Sequence, residues 1–116
     1  MICKNQNGEI MLSQMQTAYS WRDRLRGYMF YSTPPFESLL ISPCQSVHTF
    51  FMNFPIHVVC LDRKNTVVKI YEHLLPRRIT FWDFKTMKVI EIPCKRDDRC
   101  KFKKGDVLIF EELCIE

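Results

Sequence analysis

Short apolar runs separated by polar turns recur along the chain, and this spacing constrains the fold more than any other feature. The runs are rich in β-branched and aromatic residues, which favour extended strands. Asn7-Gly8, Asp62-Arg63-Lys64-Asn65 and Gly105-Asp106 are turn signals between them. The sequence therefore predicts strands at 2–3, 10–12, 39–41, 47–51, 56–61, 66–71, 87–92 and 107–110.

One short helix interrupts the strand pattern. Ser20 can cap a helix that begins at Trp21, and Asp23 in its first turn suits the positive end of the helix dipole. Gly27 can close it after two turns. Residues 93–104 fit either a loop or one helical turn. We therefore predict a single domain over residues 1–116, mostly β, folded as an antiparallel β-sandwich or barrel-like domain with one or two short helices.

Composition excludes several classes of protein. Apolar residues make up 47% of the 116-residue chain, enough for a core without disulfide staples. The net charge of +4 is mild, and the densest basic stretch, residues 95–104, is interrupted by aspartates. Aromatic residues that could stack on bases are not interleaved there, so we predict no nucleic-acid binding.

Apolar stretches are also far shorter than the ~18 residues that a membrane-spanning helix needs. The N-terminus has no basic start followed by an apolar run, so it does not match a secretory signal. These features predict no membrane span and a cytoplasmic, reducing location. All six cysteines, at positions 3, 44, 60, 94, 100 and 114, are then expected to be free thiols.

Residues 44–57 form the segment richest in chemically versatile side chains. If residues 47–52 form a strand, His48, Phe50 and Met52 share one face and could line an apolar pocket with one polar group. Alternatively, His48 is a core histidine bonded to a backbone carbonyl. The sequence leaves both interpretations open.

The same segment suggests two further sites. Zinc prefers thiolate and imidazole ligands, which Cys44, His48, His57 and Cys60 could supply, but structural zinc sites usually bring cysteine pairs two to four residues apart and none exists here. We therefore predict no metal and no cofactor. A Cys44–His48 nucleophile pair would need a lowered thiol pKa and an orienting acid, for which Asp62 is the nearest candidate.

The string Asp23–Phe30, followed by His48–Met52 and Phe54-Pro55-Ile56, resembles the domain of unknown function 192 family, also called uncharacterised protein family 0127. The closing Ile90–Pro93 and Gly105-Asp106 fit the same pattern, and the resemblance covers residues 18–110. It implies a compact β-sandwich-like domain and no established activity. The positions that match family members include Arg24, Gly27, Met29, His48 and Met52.

Three positions depart from that family pattern. Asn53 stands where relatives usually carry Lys or Arg, His57 where they carry Asp, and Tyr31 where they often carry Arg. If the basic and acidic positions work together in relatives, the resemblance implies that a charged site is lost or changed in this chain.

Three function classes remain open. The first is a non-enzymatic module that binds a small ligand or a protein partner at Arg24, His48, Phe50 and Met52, where Arg24 holds an anionic group or ties its helix to backbone carbonyls. The second is a small hydrolase that uses His48 or His57. The third is an accessory protein that acts through an exposed sheet edge. Two titratable groups within hydrogen-bond reach in the pocket would favour the enzyme.

Overall fold

The computed structural model describes residues 1–80 and 83–112, and in these ranges the chain folds into two β-sheets and one short helix. This confirms the mostly β, sandwich-like fold. The strands are β1 (Ile2–Lys4), β2 (Ile10–Leu12), β3 (Met15–Ala18), β4 (Ser38–Ile41), β5 (Ile56–Leu61), β6 (Val67–Leu74), β7 (Lys88–Pro93) and β8 (Ile109–Glu111), and the helix is α1 (Trp21–Arg26).

The larger sheet has the order β3-β4-β7-β5-β6 and the smaller one the order β2-β1-β8. Neighbouring strands run antiparallel except β3 and β4, which pair in parallel. The predicted hairpins at Asn7-Gly8 and at residues 62–65 are both present. Asp62 closes the second one, because its Oδ1 accepts the backbone N–H groups of Lys64 and Thr66.

Both faces of the larger sheet are covered, and this determines where the functional side chains lie. Alternation along β7 places Ile90 in one apolar cluster, with residues of the smaller sheet, and Val89 in another on the opposite face. The second cluster also contains Tyr28, which follows α1, and Met52, which ends the 44–52 segment. Glu91, two residues beyond Val89, therefore points into the covered face below α1.

The helix forms as its sequence predicts. Ser20 Oγ accepts the N–H of Asp23, and the N–H of Gly27 donates to the Asp23 carbonyl. Gly27 has φ +48° and ψ −123°, a conformation open mainly to glycine. In the part of the chain that the structure describes, no helix is long and apolar enough to span a bilayer.

The predicted strand at residues 47–51 is wrong. Only an isolated bridge from His48 to Ile79 forms, and the chain turns at Phe50 and Phe51. The physical reason lies in Thr49, which is buried and whose hydroxyl donates to the Leu75 carbonyl and accepts the Arg78 N–H. Backbone bonds also join Val47 and Thr49 to residues 77–80, but the pairing ends there because the chain turns back, with the Met52 N–H donating to the Thr49 carbonyl. The strand β3 was not predicted at all, and residues 93–104 beyond β7 form a loop with turns.

Candidate functional site

A small cavity of about 130 Å³ lies between the C-terminal half of α1, the 44–52 segment and β7. It is lined by residues from all three: Arg24, Leu25, Arg26, Gly27, Cys44, Ser46, Val47, His48, Met52 and Glu91. Polar and apolar side chains are mixed on its walls, as in small-ligand sites.

Glu91 is the most unusual of these residues. Its side chain is 2% exposed, in the middle of a strand, and burial raises the pKa of its carboxyl to about 8. At neutral pH Glu91 is therefore largely protonated and can donate as well as accept. Gly27 leaves room for it, because a Cβ at that position would lie 3.2 Å from Glu91 Oε2.

Arg24 reaches the cavity from the middle of α1. Its Nη1 donates to the Pro43 carbonyl at 3.1 Å, so the side chain ties the helix to the loop after β4. Its Nε is buried and has no hydrogen-bond partner. Arg24 thus has both a structural contact and a free donor.

His48 approaches from the opposite wall. Its backbone bridges to Ile79, its ring centroid lies 5.8 Å from that of Phe50, and its Nδ1 is buried without a partner. His48 Nδ1 therefore does not make the bond to a backbone carbonyl that was expected of a core histidine.

Unpaired polar atoms concentrate at this cavity. In residues 1–80 and 83–112, five buried side-chain polar atoms have no partner, and three of them are Arg24 Nε, His48 Nδ1 and Glu91 Oε2. Since buried polar groups are nearly always hydrogen-bonded, each exception calls for an explanation. Three of these exceptions line one space.

Cys44 also lines the cavity, but its thiol is not activated. Burial raises its pKa to about 11, and its Sγ donates to the Ser46 carbonyl. Asp62, the acid considered for it, is engaged in the hairpin turn. The structure therefore gives no support to a Cys44–His48 nucleophile pair.

Of the four residues predicted for a ligand site, the structure brings Arg24, His48 and Met52 to one cavity. Phe50 does not line it. Its ring packs beside His48 and is 39% exposed. Glu91 was missed, because an acidic residue between Ile90 and Ile92 in a strand is the usual pattern of a solvent-facing side chain.

The four zinc ligands considered from the sequence do not converge. His57 pairs with Ile92 and Val58 with Glu91, so His57 faces away from the cavity. Cys60 packs in the apolar cluster on the Glu91 face. Within the described ranges, a different set of potential ligands comes together away from this cavity.

Comparison with known proteins now identifies the family. The model of the DUF192 family, described as "Uncharacterized ACR, COG1430", matches residues 2–110. The chain belongs to the DUF192 family. No curated protein matches it.

Two solved structures share the DUF192 chain's fold. A protein of unknown function from Novosphingobium aromaticivorans DSM 12444 aligns with a TM-score of 0.74 at 16% identity, over 94% of this chain and 82% of that one. A putative transcription regulator from Sinorhizobium meliloti 1021 aligns with a TM-score of 0.72 at 18% identity, over 93% and 89%. At such identities the likeness shows the fold alone.

Proposed function

We propose that this DUF192 protein is a binding module for a small anionic group, of the size of a carboxylate, held in the cavity below α1. The observation that carries the proposal is the set of three buried, unpaired polar atoms on Arg24, His48 and Glu91 around one space. A volume of about 130 Å³ corresponds to about four water molecules at ~30 Å³ each. That is enough for a carboxylate and the first carbons attached to it.

The donor set explains why an anion is favoured. Arg24 is permanently charged, and its Nε–H is available. Glu91 is protonated at neutral pH and can donate its O–H to a second oxygen of the ligand. Charge-assisted hydrogen bonds of this kind are stronger than neutral ones. Met52 and Leu25 supply an apolar wall for the rest of the ligand.

Titration of the ¹⁵N-labelled protein with acetate and formate tests the proposal. We expect saturable amide shifts around the cavity, and at least tenfold weaker binding in Arg24→Lys, which keeps the charge but loses the Nε–H. Because Arg24 also bonds the Pro43 carbonyl, Arg24→Lys should lower stability by about 1 kcal/mol, so binding is measured where each variant is fully folded.

Arg22→Lys is the matched control, since Arg22 lies exposed on the same helix outside the cavity lining. Equal weakening in Arg22→Lys and Arg24→Lys, or shifts that never saturate, would show that the anion only senses surface charge.

A hydrolase remains the second candidate because Glu91 and His48 line the same cavity and the Glu91 carboxyl titrates near neutrality. This pairing suits general acid–base catalysis with water as nucleophile, since the Cys44 thiol is held protonated. His57 is the weaker choice, because its Nδ1 already accepts the His73 N–H. Hydrolysis of p-nitrophenyl acetate that falls to the buffer rate in both Glu91→Gln and His48→Asn, but not in Arg22→Lys, would support the enzyme.

A further inference from the structure

A second cluster lies on the other face of the larger sheet. His57 on β5, His73 on β6 and Cys94 just after β7 place one potential ligand atom each within 4.8 Å of one another. Among the described residues, these three are the histidine, cysteine or acidic side chains that come together closely enough to hold one metal ion. No part of it belongs to the cavity below α1.

A β-bulge creates the cluster. Ile56 pairs with Leu74 and Val58 with Tyr71, so both Glu72 and His73 lie opposite His57. The extra residue gives His73 a φ of +52°, which is uncommon outside glycine. Bulges often re-aim a side chain at a functional site, and this one turns the His73 ring toward His57, with ring centroids 4.8 Å apart.

The hydrogen bonds around His73 prepare it as a ligand. Its Nε2 lies 3.1 Å from the Lys95 carbonyl oxygen, to which it donates. That bond places the ring proton on Nε2 and leaves a lone pair on Nδ1. A backbone carbonyl behind a ligating imidazole is the usual supporting contact in metal sites.

The loop that carries this carbonyl is held by the acidic residues beside it. Asp98 accepts the N–H of Lys95, and Glu72 accepts the N–H of Cys100. Both carboxylates also interact electrostatically with His57 and with Cys94. The surroundings of the cluster are therefore ordered and favour a cation.

His57 supplies the observation that points to a missing partner. Its side chain is 3% exposed, and its Nε2 has no hydrogen-bond partner. Its Nδ1 accepts the N–H of His73 at 3.1 Å, which places the proton on Nε2 when the site is empty. Ligation through Nε2 must move that proton and give up the His73 bond, so His57 should contribute less affinity than His73 and Cys94.

We propose that His73 Nδ1, Cys94 Sγ and His57 Nε2 bind a zinc-class divalent ion. Two imidazoles and one thiolate suit this class, and Cys94 releases its thiol proton when the ion binds. His57 and Cys94 also line a groove of about 650 Å³, so water or a group of a bound molecule can take a fourth position. The sequence-based prediction of no metal depended on the spacing of the cysteines. That spacing carries no information about histidines that a bulge brings together.

Cobalt titration of the full-length, reduced protein provides the test. We expect one Co²⁺ per chain with a near-ultraviolet thiolate-to-cobalt band, and competition by Zn²⁺ that removes the band. Cys94→Ser should abolish the band, and His73→Asn should weaken binding at least tenfold. Asn tolerates positive φ, so His73→Asn keeps the bulge.

Cys100→Ser is the matched control, because this half-buried thiol lines the same groove but lies outside the cluster. It should keep the band and the affinity. The proposal is overturned if Cys94→Ser and Cys100→Ser bind cobalt equally, or if no thiolate band forms in a protein shown to be folded by its urea transition. Either result leaves the anion site below α1 untouched.

Discussion

Glu91 concentrates the chemistry of the cavity in one side chain. A carboxyl inside a sheet is costly when charged, and burial therefore raises its pKa from 4.5 to about 8. Desolvation by burial is the cause of this shift, while the Arg24 guanidinium, which lines the same cavity, bonds the Pro43 carbonyl. The native protein therefore keeps the proton on Glu91, and an anion can enter without meeting a second negative charge.

This proton makes stability depend on pH. The unfolded chain loses the Glu91 proton near pH 4.5 and the folded chain near pH 8. The stabilising contribution is thus complete below pH 4.5 and is lost as pH rises to about 8, by up to about 5 kcal/mol. Urea unfolding at pH 5, 6.5 and 8 should show this decline, and Glu91→Gln should flatten it.

Glu9→Gln is the control for this measurement, because Glu9 is exposed in the first hairpin. It should keep the decline. If the stability difference between the wild type and Glu91→Gln does not change between pH 5 and 8, Glu91 is ionised in the folded protein.

The end of α1 and strand β7 fit together through Gly27. The glycine needs its positive φ to end the helix, and it also leaves space for the Glu91 carboxyl. A side chain at position 27 would therefore cause backbone strain and also a close contact with Glu91. Gly105, by contrast, has φ +97° but open space around it.

We expect Gly27→Ala to lower the free energy of unfolding by about 2–4 kcal/mol, from backbone strain of about 1–3 kcal/mol and the contact with Glu91. Gly105→Ala should show the backbone cost alone and so a smaller loss. Denaturant titration of both variants gives the comparison, and equal losses would contradict a close approach of Gly27 to Glu91.

The elements that the sequence predicted are those with local signals. Ser20 and Gly27 delimit α1, and Asn7-Gly8 fixes the first hairpin, because caps and turns depend on neighbouring residues. The strand predicted at 47–51 failed because Thr49 bonds a loop about thirty residues away, which no local pattern records.

The sequence likewise pointed to residues of one candidate site but not to the cluster that forms the other. Arg24 and His48 were singled out from the family-like motifs, and both line the cavity below α1. The His57, His73 and Cys94 cluster depends on one extra residue in β6, and the sequence does not show where a ladder slips register.

The five-stranded sheet lies between the two candidate sites. Glu91 faces α1, while His57 faces the groove beside the smaller sheet. Each site uses a side chain from the central strands β5 or β7, which are buried on both faces.

The same two-sided burial protects the thiols. Cys3, Cys60 and Cys94 are buried and Cys44 and Cys100 half-buried. Burial raises the pKa of Cys3 to about 12, that of Cys44, Cys60 and Cys94 to about 11, and that of Cys100 as well. Cys114, the sixth cysteine, lies outside the described residues.

Because the thiolate is the reactive form and the raised pKa values keep these thiols protonated, native thiols should react slowly. In a Cys114→Ser variant we expect Ellman's reagent at pH 7.5 to react at least about 100-fold more slowly than in urea, with Cys44 and Cys100 first. Unfolded and without reductant, this variant should release five thiols and the wild type six. A fast thiol in the native variant would show that a cysteine lies outside the packed faces, and fewer than five on unfolding would reveal a disulfide.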